Sequence, residues 1–223
     1  MSVLEVDREA VVEVITDAPA LLLYDQDMIQ QMIAERQSRG IDGPDEVWNG
    51  IYIIMPIANI DHQRLGARLW AIFEAIVPEG TGVACPPVNV SDRKKGWVEN
   101  FRIPDASVFL KDGPGRNCGT HWWGGPDFAV EVLSNRDPAR EKRGFYAANG
   151  VRELLLIDRE PWAIELYRLS DGVLGLVGTS GGDEPAVLAS EVLSLTFDLV
   201  RSEGEDRPRI GVTSTRDGYR WLV

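Results

Sequence analysis

Apolar positions along the chain follow two spacings. In residues 59–76, NIDHQRLGARLWAIFEAI, the side chains Leu65, Leu69, Ile72 and Ile76 recur three or four apart. That spacing predicts a helix with one buried face, capped by Asn59 or Asp61, and it puts His62 on the same inward face. The stretch 25–40, DQDMIQQMIAERQSRG, predicts a shorter helix. Asp25 or Asp27 caps it, Met28, Met32 and Ile33 share a face, and Gly40 ends it. A further helix is predicted from the cap Asp137, through Pro138 at its first position, to Gly150 just past its end. Pro138, Lys142, Phe145, Tyr146 and Asn149 share one face of it.

Continuous or alternating apolar runs predict strands at 48–55, after an Asn-Gly turn signal, at 81–90 with a Pro-Pro interruption, at 99–110 and at 126–134. Residues 152–158 and 163–169 read as a hairpin-like pair, and 192–200 as a last strand. Residues 3–14 read as an extended arm, 202–209 as a solvated spacer, and 210–223 as a hairpin around Asp217-Gly218. The element order predicts an α/β (α+β) fold, a mixed sheet flanked by helices. It is organised as an N-terminal arm and helix (1–47), a core (48–200) and a C-terminal extension (201–223) of one globular unit.

Composition narrows the setting. The chain has 223 residues, 44% hydrophobic and 26% charged, as in an ordinary globular protein. No run approaches the roughly 20 apolar residues of a membrane span. The acids near the start give no basic-then-apolar leader, so no signal peptide is expected. Cys85 and Cys118 fit a reducing cytoplasm and are too few for a zinc site. A net charge of −12 argues against a protein that coats nucleic acid, and it is compatible with a carboxylate-lined metal centre.

Glu131 lies inside the apolar run PDFAVEVLS, where a carboxylate needs a partner or a cation. Asp127 and Glu131, four apart on one strand, stand roughly 13 Å apart and cannot share an ion. If the preceding strand pairs with this one, Asp105 comes within about 5 Å of Glu131 between Cβ atoms. The pair then either shares a cation, or Asp105 sits in a turn and Glu131 pairs with an arginine. Lys142 either snorkels at the helix edge or brings its ammonium to the strand end that carries Glu131. His62 is either a hydrogen-bonded core residue or a proton carrier above the same acids. The pair Trp122-Trp123, in a glycine-rich loop, either stacks on bases or plugs a core edge. Arg93, Lys94, Lys95, Arg102, Arg136, Arg140 and Arg143 are either scattered surface cations or a phosphate-facing rim.

Taken together, NGIYIIMPIANIDHQRL, RIPDASVFL and DFAVEVLSNRDPAREKRGFYAANGVRELLLID resemble the Uma2 family of restriction-endonuclease-like proteins. That family is a branch of the PD-(D/E)xK nuclease superfamily common in bacteria. The resemblance implies a restriction-endonuclease-like core and an endonuclease hydrolysing DNA phosphodiester bonds with Mg²⁺ or Mn²⁺. It implies a metal held by Asp105, Glu131 and the Val132 carbonyl, with Lys142 and His62 completing the catalytic set and Glu46 matching an acid ahead of the first core helix. The parent superfamily has its lysine where this chain has Leu133; the resemblance implies that Lys142 takes its place. It also implies DNA as partner and a homodimer or higher homo-oligomer. The rival expectation is a catalytically inactive scaffold or binding protein that keeps the fold.

Overall fold

The structure, a computed structural model, describes residues 12–14, 21–38, 45–54, 58–133, 138–181, 185–201, 204 and 207–223. Three helices are described: α1 (Gln26–Ser38), α2 (Ile60–Ile76) and α3 (Lys142–Ala148). They flank three sheets. The central sheet has six strands in the order Val173–Gly181, Trp162–Ser170, Glu153–Arg159, Phe128–Val132, Ala106–Leu110 and Gly82–Cys85. Within this sheet, among the described residues, only Phe128–Val132 and Glu153–Arg159 pair in parallel, and α3 lies in the crossover between them. The architecture is mixed α/β, and among the described residues no helix is long and apolar enough to cross a membrane.

Alternation along Phe128–Val132 assigns its two faces. Phe128, Val130 and Val132 pack with Leu65, Leu69 and Phe73 of α2 and with Phe197, Ile210 and Val212 of the C-terminal sheet. Ala129 joins Tyr146 and Val151 on the other face. Glu131 falls on that second face, toward α3. α2 begins as its sequence requires: Asn59 caps it by accepting from the His62 amide at 3.0 Å. Asp25 caps α1 by accepting from the Met28 amide at 2.8 Å. Ile29 of α1 is buried; Met32 and Ile33 pack beside it, whereas Met28, expected on that face, is exposed.

Several boundaries differ from expectation. The run 99–110 is two strands in different sheets, Phe101–Arg102 and Ala106–Leu110, because Pro104 has no N–H to continue a ladder. The run 81–90 likewise divides at Pro86-Pro87, into Gly82–Cys85 and Val90–Ser91. The glycine-rich loop contains two short paired strands, Arg116–Asn117 and Trp122–Trp123. The edge strand Val173–Gly181 gives little signal in the sequence, because Gly175, Gly178 and Gly181 dilute its apolar pattern. α3 is preceded by a single 3₁₀ turn, Pro138–Glu141, and the chain leaves it through Gly150 at φ 77°. The expected cap Asp137, the stop Gly40 and most of the N-terminal arm lie outside the described residues. The C-terminal residues form antiparallel strands Arg209–Ser214 and Arg220–Leu222.

Asp127 is an anchor. Fully buried, it accepts from the Leu110 amide at 2.7 Å and from Arg152 at 3.3 Å, and so closes the turn after Leu110. A Cβ added at Gly113 would collide with this carboxylate. Gly113→Ala is therefore expected to lower the unfolding free energy by about 1–3 kcal/mol, read from urea midpoints. A loss below about 0.5 kcal/mol would mean that the turn yields freely.

Candidate active site

The bend at Ile103–Asp105 delivers Asp105 to the end of the central sheet. The register continues past Val130 opposite Ala106, and the Asp105 amide donates to the Val130 carbonyl at 2.9 Å. Asp105 thus stands opposite Glu131, in reach across the strands. Its carboxylate is held on both oxygens: Oδ1 lies 2.8 Å from His62 Nε2, and Oδ2 accepts from the Val132 amide at 2.7 Å. A carboxylate only accepts, so His62 Nε2 carries the proton of this bond. His62 Nδ1 is buried and has no hydrogen-bond partner among the described residues. α2 approaches closely here because Gly66 has no side chain; a Cβ there would sit 3.3 Å from the Asp105 carbonyl oxygen. The Asp105 side chain remains 23% exposed, which leaves the carboxylate open to solvent.

Glu131 is only 3% exposed and is met from α3. Lys142 and Tyr146, four apart, share the inward face of that helix. The Lys142 ammonium donates to Glu131 at 3.0 and 3.2 Å, and the Tyr146 hydroxyl donates to Glu131 Oε1. Lys142, 4% exposed, also pairs with Glu46 Oε1 at 2.8 Å, and Glu46 is itself 2% exposed. Glu46 accepts from the Trp48 indole at 2.6 Å and from the Ile103 amide at 2.7 Å. Arg102 lies beside this group. It is buried, donates to the Val47 carbonyl at 2.9 Å, and sits between the rings of Trp48 and Phe145.

Burial pushes the Glu131 carboxyl up to about 8. Lys142 opposes the rise, while the charges of Asp105 and Glu46 add to it. Burial also raises the Tyr146 hydroxyl, helped by Glu131 and Glu46, and lowers the Arg102 guanidinium. Among the described residues no three His, Cys, Asp or Glu side chains converge as a metal cage. What is present is two carboxylates, Asp105 and Glu131, in reach of each other across the strands. This short set of hard oxygens suits Mg²⁺ or Mn²⁺, which keep several waters and take further oxygens from phosphate. The residues fit such a cation.

Other sequence candidates are used elsewhere. Arg102 is not on a rim; it is buried as described. Arg140 pairs with Glu165 at 2.5 Å and Asp158 at 3.2 Å, Arg93 pairs with Glu99, and Arg143 lies over the Tyr167 ring. Arg136 lies outside the described residues. Trp122 stacks on Phe109 with ring centres 3.7 Å apart, and plugs a core edge; Trp123 is exposed with Lys94 over its ring. Tyr146 on Glu131 and Trp48 on Glu46 are site contacts that the sequence pattern does not announce. The i, i+4 spacing of Lys142 and Tyr146 is the one signal that points to the first.

The fold has a counterpart among solved structures. A crystal structure of a putative nuclease belonging to DUF820 from Anabaena variabilis superposes with a TM-score of 0.50 at 20% identity, covering 66% of this chain and 80% of that one. At that identity the likeness concerns the fold. No curated protein matches the chain. The family model of Uma2, described as putative restriction endonuclease, matches residues 42–199. That match spans well over half of the 223 residues, and the protein belongs to the Uma2 family.

Proposed function

We propose that the protein is a metal-dependent endonuclease that hydrolyses DNA phosphodiester bonds. One observation carries the reading: Lys142, buried, is brought by α3 onto Glu131, directly beside the solvent-reachable Asp105–His62 pair. A buried lysine on a strand acid has no need of a neighbouring open carboxylate for folding, whereas a phosphate-cleaving centre needs both. Asp105, Glu131 and the Val132 carbonyl would hold Mg²⁺ or Mn²⁺, which supplies Lewis-acid polarisation of the scissile phosphate. Lys142 donates to the phosphoryl oxygens as negative charge develops on them. His62, through its Nε2–H bond to Asp105, fixes that carboxylate's orientation and assists from α2. Tyr146 keeps Glu131 turned toward Lys142. The assembly expected with this activity is a homodimer or higher homo-oligomer.

The test is calorimetric titration of Mn²⁺ into wild type, Asp105→Ala and Glu131→Ala, followed by cleavage of labelled single- and double-stranded DNA. Wild type binds and cleaves, and each substitution removes both properties. Binding without cleavage of either DNA would overturn the nuclease reading. Absence of binding at millimolar Mn²⁺ would leave the rival, a nuclease-shaped scaffold.

A further inference from the structure

The geometry points to Glu46 as a positioning residue: it draws the Lys142 ammonium off Glu131, so that a divalent cation and the lysine occupy the site together. This rests on the reading above, in which Glu131 is a ligand. Lys142 Nζ lies 2.8 Å from Glu46 and 3.0 Å from the nearer oxygen of Glu131, so one ammonium is shared between two carboxylates from two different sheets. A cation binding at Glu131 competes with that ammonium for the same oxygens and repels it. A lysine with Glu131 as its sole carboxylate partner would have to leave the site or exclude the cation. Glu46 gives it a second partner without moving it away.

Glu46 is built for this. Its oxygens are fixed by the Trp48 indole and the Ile103 amide, donors that stay in place whatever binds at Glu131. Its 2% exposure keeps water from weakening the pair. Glu131, by contrast, is met by side-chain donors of α3, Lys142 and Tyr146. The carboxylate fixed by the Ile103 amide and the Trp48 indole holds the lysine, and the one met from α3 is the carboxylate that a cation would claim.

The experiment is a double-mutant cycle read by Mn²⁺ affinity, with wild type, Glu46→Gln, Lys142→Gln and the double variant titrated by calorimetry. Glu46→Gln removes the charge and keeps one acceptor oxygen, enough for one of the two donors Trp48 and Ile103, and Lys142→Gln keeps an N–H donor between the carboxylates. Losing one negative charge weakens Mn²⁺ binding in any background. If Glu46 acts through Lys142, Glu46→Gln weakens it about tenfold with Lys142 present and about threefold or less in Lys142→Gln. Equal losses in the two backgrounds would overturn the proposal. Trp48→Phe removes the indole donor to Glu46 while keeping an aromatic ring beside Arg102, and is expected to act in the same direction, again through Lys142. It carries the test if near-ultraviolet circular dichroism shows Glu46→Gln misfolded, and equal Trp48→Phe losses in the two backgrounds would then overturn the proposal. Wild type that binds no Mn²⁺ would remove the nuclease reading and this proposal with it; additive losses in a wild type that binds would remove this proposal alone.

Discussion

Glu131→Gln is expected to lower cleavage about 10³-fold and abolish cation binding, yet to raise stability at pH 9 by about 2 kcal/mol. The two effects have one cause. Burial lifts the Glu131 carboxyl from its ordinary value of 4.5 to about 8. Between those values the folded protein holds a proton that the unfolded chain has released. Stability from this group is therefore fully present below 4.5, falls as pH rises, and is lost once pH passes about 8. Linkage allows up to roughly 5 kcal/mol for a rise of that size, with Lys142 sharing the interaction. A carboxamide has no proton to lose, so the variant's stability should be nearly flat over the same window. Lys142 would keep Glu46, and one ammonium would face one carboxylate. Urea denaturation at pH 5, 7 and 9 measures this. A variant less stable than wild type at pH 9 would show that the wild-type charge is favourably held, and cleavage within tenfold of wild type would take Glu131 out of the catalytic set. The wild type thus keeps a carboxylate that weakens the fold at the pH where a hydrolytic metal centre needs it ionised.

The sequence made some of this legible because the relevant forces are local. Leu65, Leu69 and Ile72 have a spacing only a helix can bury on one side, and Asn59 stands where a cap belongs. Glu131 announces itself as an acid within FAVEV, and Lys142 as a cation on an apolar helical face. Asp105 was reachable by assuming strand pairing, although the strand expected to carry it is broken at Pro104. The pairing holds because the Asp105 amide still finds the Val130 carbonyl at 2.9 Å. Glu46 was different. Nothing in EVW distinguishes a buried carboxylate from an exposed one on a short strand. Its burial depends on Ile103 and Lys142, both far along the chain. The same holds for Arg102, which reads as a surface cation until Trp48 and Phe145 are seen on either side of it. Long-range partners of a single polar residue leave no period in the sequence.

Lys142→Met should produce the largest stability loss, about 3–5 kcal/mol at pH 9. The substitution keeps an unbranched apolar stem in the space the lysine fills and removes only the charged head. What remains is Glu46 and Glu131, 2% and 3% exposed, facing each other without their shared cation. Two ionised carboxylates in that setting are costly, and the cheapest relief is for one to take up a proton. Glu131 is the one placed to do so, because burial already favours its neutral form and the Tyr146 hydroxyl stays beside it. The loss must therefore depend on pH, and in a definite direction. It is greatest above pH 8, where wild-type Glu131 is ionised, and shrinks toward pH 5, where the proton replaces the ammonium. Adding Glu131→Gln should recover part of the loss at pH 9 by removing one of the two unpaired charges, and little at pH 5. Guanidinium titrations of the three variants and wild type at both pH values decide it. A loss of under about 1 kcal/mol at pH 9, or the same loss at both, would mean that Lys142 is not what balances these carboxylates. Because catalysis on this reading needs the same ammonium, Lys142→Met should also be inactive at pH 9 in samples that circular dichroism shows to be folded, which separates the lysine's chemical role from its structural one.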